Sequence, residues 1–135
     1  MLLKEVIMSP QLLRVLIAGA LFVHGVGHTL GFFMPARSWL LPGAGEPVLR
    51  IVGGIIWALA TVGFIAAFLG FIGFLVPAEW WRPLAIAFAV VSLLGLFLFW
   101  GTWAAFNTIG ALGMNIAILV LLLWVKWPPV SLFGR

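Results

Sequence analysis

Residues 51–76 read IVGGIIWALATVGFIAAFLGFIGFLV, a stretch with no charged side chain and no proline. Its reading decides the fold. A helix needs about 20 apolar residues to cross the hydrocarbon core of a bilayer, and this run exceeds that. A strand reading fails on length and on pattern. The run is much too long for one strand, and it lacks the polar–apolar alternation of a membrane barrel. In lipid every backbone N–H and C=O must find a partner inside the protein, which leaves the helix.

Three further stretches are long and predominantly apolar, at residues 13–34, 84–103 and 107–127. Turn formers divide them: Pro42-Gly43-Ala44-Gly45-Glu46-Pro47, then Pro77-Ala78-Glu79-Trp80-Trp81-Arg82-Pro83, then Pro128-Pro129. The expected architecture is all-α, an integral membrane antiparallel four-helix bundle forming a single domain over residues 1–135. Residues 1–12 read as a short amphipathic lead-in with Lys4, Glu5 and Pro10. Ala18-Gly19-Ala20 has the residue sizes of a signal cleavage site. The apolar run before it is too short and continues after it, so a retained helix is expected.

Composition agrees. The chain is 65% hydrophobic and 7% charged, with mean hydropathy +1.30. A soluble domain carries about 25% charged residues, so this chain could not cover its own surface in water. The net charge of +4 comes from scattered residues without a basic run, so nucleic acid is not an expected partner. Cysteine is absent, which excludes disulfides, thiolate metal sites and cysteine nucleophiles.

Lys and Arg placement sets the expected orientation. With four spans, Lys4, Arg14, Arg82, Lys126 and Arg135 share one side, and Arg37 and Arg50 the other. Five against two places both termini in the cytoplasm of an expected bacterial inner membrane. Trp39, Trp80, Trp81, Trp100, Trp103, Trp124 and Trp127 fall near span ends, as interfacial aromatic belts do. Trp57 alone lies inside a span.

The distinctive motif is His24-Gly25-Val26-Gly27-His28, in the first span. On a helix, residues four apart share a face, and Gly31 extends it. Gly27 and Gly31 form a small-xxx-small pair, expected to admit a neighbouring helix or a flat ligand. An ionisable residue within a span is a functional hypothesis by default. Three readings stay open. The histidines bond polar residues on other helices; or they line a ligand, quinone-type or proton site; or they ligate a metal, haem or pigment. Zinc or iron needs three or four ligands, and no acid lies inside a span: Glu5, Glu46 and Glu79 are terminal or in loops. Two histidines on one helix face cannot reach both sides of one haem iron, although a partner chain could complete such a site.

Depth along the helices brings other polar residues to the same level. His24, Thr61, Ser92 and Asn115 fall near the midplane, and His28, Trp57, Thr102 and Asn107 toward the outer half. The expected site is a pocket of His24, His28, Trp57, Ser92 and Asn115. The plainer alternative is that Ser92 and Thr61 bond their own i−4 carbonyls and Asn115 joins helices. Gly53, Gly54, Gly63, Gly70, Gly73, Gly95, Gly110 and Gly113 read as tight helix packing.

Arg50-Ile51-Val52-Gly53-Gly54 with Trp57, Trp81-Arg82-Pro83-Leu84 with Ser92, and Gly110 with Asn115 accompany the histidine motif. Together they resemble small bacterial four-span membrane proteins with a His-Gly-x-x-His first helix, broadly similar in layout to the DoxX-like proteins. The founding member of that group is linked to quinone-coupled sulfur oxidation. The resemblance implies the four-span fold and little about function. A transporter is not expected, since there is no ATP-binding motif and no acid inside a span.

The expected function is a small non-catalytic membrane subunit or binding module. It would hold a quinone, pigment or lipid near the histidines. A redox-linked protein using them for haem, pigment or quinone is the alternative. Membrane lipid, and a second copy or a larger membrane complex, are the expected partners.

Overall fold

The computed structural model describes residues 9–129; Lys4, Glu5, Arg135 and most of the expected amphipathic lead-in lie outside them. The described residues are helical, without a strand. Helix α1 spans Pro10–Gly27 and continues as a 3-10 segment, His28–Phe33. Helix α2 spans Glu46–Ile72, α3 spans Trp81–Leu98 after a 3-10 turn at Ala78–Trp80, and α4 spans Ala105–Leu119. A π-helical stretch, Val120–Val125, extends α4. Among the described residues four helices, counted with these extensions, are long and apolar enough to cross a membrane.

Local chemistry places the ends, and it explains where they differ from the apolar runs. Ser9 caps α1, its hydroxyl accepting from the Leu12 N–H at 3.2 Å, and Pro10 follows at the first helical position. Helix α2 starts at Glu46 rather than near 51, because Pro47 is tolerated in a first turn whose N–H groups have no intrahelical acceptor. It ends at Ile72 rather than 76. Gly73 turns left-handed at φ 73°, and Phe74 N–H reaches back to Leu69 O at 2.8 Å in a Schellman turn. Helix α3 starts before Pro83 for the same reason as α2, and stops at Leu98, short of a turn at Gly101 with φ 80°.

The connection after α1 straps the end of α3. The Ser38 hydroxyl donates to Leu98 O at 2.7 Å and the Trp39 indole to Phe97 O at 2.7 Å. These are carbonyls that a helix C-terminus leaves without partners. The Thr102 hydroxyl donates to Arg37 O at 3.1 Å and ties the strap to the next turn.

Helix α2 is central, packed against α1 and α3, while α4 packs on α3. Glycines set the close approaches. A Cβ on Gly63 would stand 1.9 Å from the Phe88 ring. The Trp57 indole is clasped between Gly31 and Gly95, where added Cβ atoms would stand 2.5 Å and 2.9 Å from it. Gly25 lies against Phe64 and Gly53 against Phe99. The packing expected of Gly27, Gly54, Gly110 and Gly113 is not found: nothing stands within 4 Å of a Cβ built on any of them. Those glycines face open space. Sequence spacing alone could not separate them from the packed ones.

Two apolar clusters fill the bundle. One holds Leu21, Phe64, Ala67, Phe71, Trp81, Ala85, Ala89 and Ile118; the other holds Leu49, Trp57, Leu96, Phe99 and Trp103. Trp81 and Trp103 are therefore core residues, not the belt residues their position near span ends implied. The outside is apolar too. Phe33, Leu75, Phe106 and Trp124 are each more than four-fifths exposed, as suits lipid contact and not water. Among the described residues the one ion pair, Arg50 with Glu46 at 2.7 Å, is exposed and contributes little.

Candidate functional site

Between the two apolar clusters lies a polar layer of His24, His28, Ser92 and Asn115. On α3, Ser92 stands between Ala89 and Leu96 of the two clusters; on α4, Asn115 sits one turn before Ile118. Ser92 and Asn115 are fully buried, His28 is nearly so, and His24 is half-buried.

The layer is tied by four hydrogen bonds. His28 Nδ1 lies 2.7 Å from His24 O, His28 Nε2 lies 2.6 Å from Ser92 Oγ, Asn115 Nδ2 lies 2.6 Å from Ser92 Oγ, and His24 Nε2 lies 2.8 Å from Asn115 Oδ1. Directions follow from the inventory of donors and acceptors. A carbonyl only accepts, so His28 Nδ1 carries the proton and donates to His24 O. With the imidazole neutral, its Nε2 must accept, so the Ser92 hydroxyl donates to it. Ser92 Oγ then accepts from the Asn115 amide, which turns Asn115 Oδ1 toward His24. His24 Nε2 therefore donates. The bonds form a closed ring running one way, joining α1, α3 and α4.

The helix switch at His28 makes this ring possible. The backbone N–H of His28 bonds Gly25 O and Val26 O instead of continuing to His24 O. The His24 carbonyl takes the imidazole N–H in its place. Phe64 of α2 packs on both rings, edge-on to His24 at 4.5 Å and stacked on His28 at 5.5 Å. Nothing in the spacing of the histidine motif singled out Phe64.

The structure separates the five expected pocket residues. Ser92 and Asn115 hold the imidazoles from behind, and Ser92 does not bond its own i−4 carbonyl. Trp57 packs against His28 at 6.1 Å and Trp103 at 5.0 Å, and it lines a different cavity, of about 190 Å³, with Gly31, Leu49, Arg50, Phe99 and Thr102. His24 and His28 line an open groove of about 210 Å³ between α1 and α4, together with Gly27, Trp103, Asn107 and Gly110. Thr108 bonds Ala104 O at 3.3 Å, the plain i−4 pattern. Thr61 does not: its buried hydroxyl has no partner among the described residues.

This arrangement limits the chemistry. Among the described residues no group of three or more His, Cys, Asp or Glu could hold a metal ion. Both nitrogens of His28 and Nε2 of His24 are committed to protein partners. A haem or pigment would have His24 Nδ1 as its one uncommitted imidazole ligand. The ring is also a poor proton conduit, because the Asn115 amide cannot take a proton at oxygen and release one at nitrogen without becoming an imidic acid.

A bundle of four span-length apolar helices around a bonded histidine pair defines the class: a helical membrane-protein fold with an internal polar layer. No family model matches the chain, and no curated protein or solved structure matches it either.

Proposed function

We propose that this protein is a non-catalytic module of the bacterial inner membrane that binds a small amphiphile in the groove between α1 and α4. The helices run antiparallel with both termini in the cytoplasm. The contacts of α2 with α3 support that packing, since Gly53 meets Phe99, Gly63 meets Phe88 and Gly70 meets Trp81, in reversed sequence order. The excess of Lys and Arg on one side supports the orientation.

One observation carries the binding reading. The ring occupies every imidazole nitrogen except His24 Nδ1, and His24 lines an open groove. A purely structural pair needs no groove beside it. A ligand site needs a rigid polar group, an apolar wall and an opening to the lipid, and all three coincide here.

Mass spectrometry of organic extracts tests this. Wild type and His24→Phe, purified from the same membranes, are compared. A small amphiphile near one per chain in wild type, depleted at least tenfold in His24→Phe, is expected. Matching extracts would leave the histidines as interhelical glue only. A Soret band in the wild type that disappears in His24→Ala would replace the reading with haem ligation.

A further inference from the structure

The stripe Arg50, Gly53, Gly54 and Trp57 takes no part in the histidine ring. These residues are spaced i, i+3, i+4 and i+7, so they share one face of α2, and all four line the cavity of about 190 Å³. The connection after α1 and the turn after α3 complete its walls, with Gly31, Phe99 and Thr102 among them. Of these walls only Trp103 is shared with the α1–α4 groove.

The cavity is one-sided in its chemistry. The Trp57 side chain is only 3% exposed, yet its indole N–H meets no acceptor among the described residues. It is not sealed, as the unpartnered Thr61 Oγ1 and Trp103 Nε1 are. Its pyrrole half, with Cδ1 and Nε1, faces Gly31, which lines the cavity, and its benzo half faces Gly95, which does not. The N–H therefore lies on the cavity side. The Thr102 hydroxyl donates to Arg37 O, and Arg50 Nε and Nη2 go to Glu46. No lining side chain carries a carbonyl or a carboxylate. A water on the Trp57 N–H would face Phe99, Gly53 and Gly54, short of the two to four partners that hold one.

Gly54 adds a second observation. Nothing stands within 4 Å of a Cβ built there, so packing does not require glycine, which weakens a helix interior. A flat molecule lying against the backbone would require it.

We propose that this cavity is a second binding site, for a small uncharged molecule with a carbonyl on a single ring. The ring lies on Gly54, and the carbonyl oxygen accepts from the Trp57 indole N–H. An apolar cavity of about 150 Å³ takes one benzene, so 190 Å³ holds a ring with one short substituent. An alcohol would bring a hydrogen for which no lining side chain offers a carbonyl or carboxylate. A carboxylate would bring a charge, and Arg50, the cation lining the cavity, is already paired with Glu46. The assignment is independent of the α1–α4 groove.

The full-length protein in lipid nanodiscs is titrated with acetophenone, cumene and benzoate. These share ring and size and offer a neutral acceptor, no acceptor and a charged one. Nitrogen-15 NMR follows the indoles and amides, and Trp57→Phe identifies the Trp57 signal. Acetophenone is expected to move the Trp57 indole proton downfield together with the Gly54 amide. It should bind about tenfold more tightly than cumene at equal mole fraction in the lipid, the value of one matched hydrogen bond. Cumene moves the Gly54 amide alone, and benzoate moves neither. In Trp57→Phe, acetophenone should lose about tenfold and bind as cumene does. If that variant folds poorly, Gly54→Leu fills the cavity from a position without neighbours and should abolish the shifts with both ligands. Equal binding of acetophenone and cumene, with the indole unmoved, overturns the carbonyl assignment. Benzoate binding more tightly than acetophenone overturns it too and makes Arg50 the anchor of an anion site. Shifts that persist in Gly54→Leu, or that fall on the Gly110 amide in place of Gly54, overturn the site itself.

Discussion

The α2–α3 interface and the α1–α4 seam use the same residue in opposite ways. Between α2 and α3, glycines are filled: Phe88 lies on Gly63 and the Trp57 indole on Gly95. Along the seam, Gly27 and Gly110 meet nothing, and close backbone approach between α1 and α4 is sparse. One interface is a packed core. The other is bridged by the bond from His24 to Asn115 and opens into grooves on either side of it. Glycine content in a membrane helix therefore does not report packing by itself. What matters is whether a large side chain from the neighbouring helix is in register with it.

The sharpest way to break this comparison is to add one methyl group to the filled interface. In Gly63→Ala the new Cβ would stand 1.9 Å from the Phe88 ring, on two helices held together on both sides of the contact. Overpacking of this kind costs about 1–3 kcal/mol, and the absence of free space favours the upper end. SDS-driven unfolding in mixed micelles measures it. Unchanged stability would mean that the α2–α3 interface is as loose as the seam.

Ser92→Ala has the next largest expected effect. The hydroxyl donates to His28 and accepts from Asn115, so its loss leaves two buried groups unmatched. Each such group costs about 1–3 kcal/mol in a protein interior, and interhelical hydrogen bonds in bilayers average nearer 0.6 kcal/mol. About 2 kcal/mol is expected from the same unfolding assay. Because the bonds form one ring, Ser92→Ala combined with Asn115→Leu should cost clearly less than the sum of the two. Strict additivity would show that the ring does not act as a unit.

The sequence made some of this legible and hid the rest for physical reasons. The span-length apolar runs disclosed four helices because lipid leaves the backbone no other solution. His24, Ser92 and Asn115 could be placed near the midplane, with His28 in the outer half beside them, since the rise of a helix per residue is fixed. Helix ends were misplaced by several residues at Glu46 and Ile72, where Pro47 and the left-handed Gly73 act and apolar runs carry no signal. The hydrogen-bond pattern was not legible, because it depends on the switch to a 3-10 turn at His28 that releases the His24 carbonyl. Trp103 looked like a belt residue because its position near a span end says nothing about which way the ring faces.

The smallest expected effect on stability is the most informative about the seam. Gly110→Ala adds its methyl where nothing stands within 4 Å, in a helix without a left-handed backbone at that point. Alanine is favoured over glycine within a helix by about 0.8–1.0 kcal/mol. Stability should therefore hold or rise by up to about 1 kcal/mol in the assay that registers a loss for Gly63→Ala. The same methyl narrows the groove on the wall facing Gly27, so Gly110→Leu, which fills more of it, should deplete the amphiphile recovered in organic extracts further than Gly110→Ala does. Stability and binding then move apart, which a packed interface would not allow. If Gly110→Ala instead destabilised the protein as Gly63→Ala does, the seam would be closed by contact with another chain, and the groove would be an interface between helices, not a site for an amphiphile.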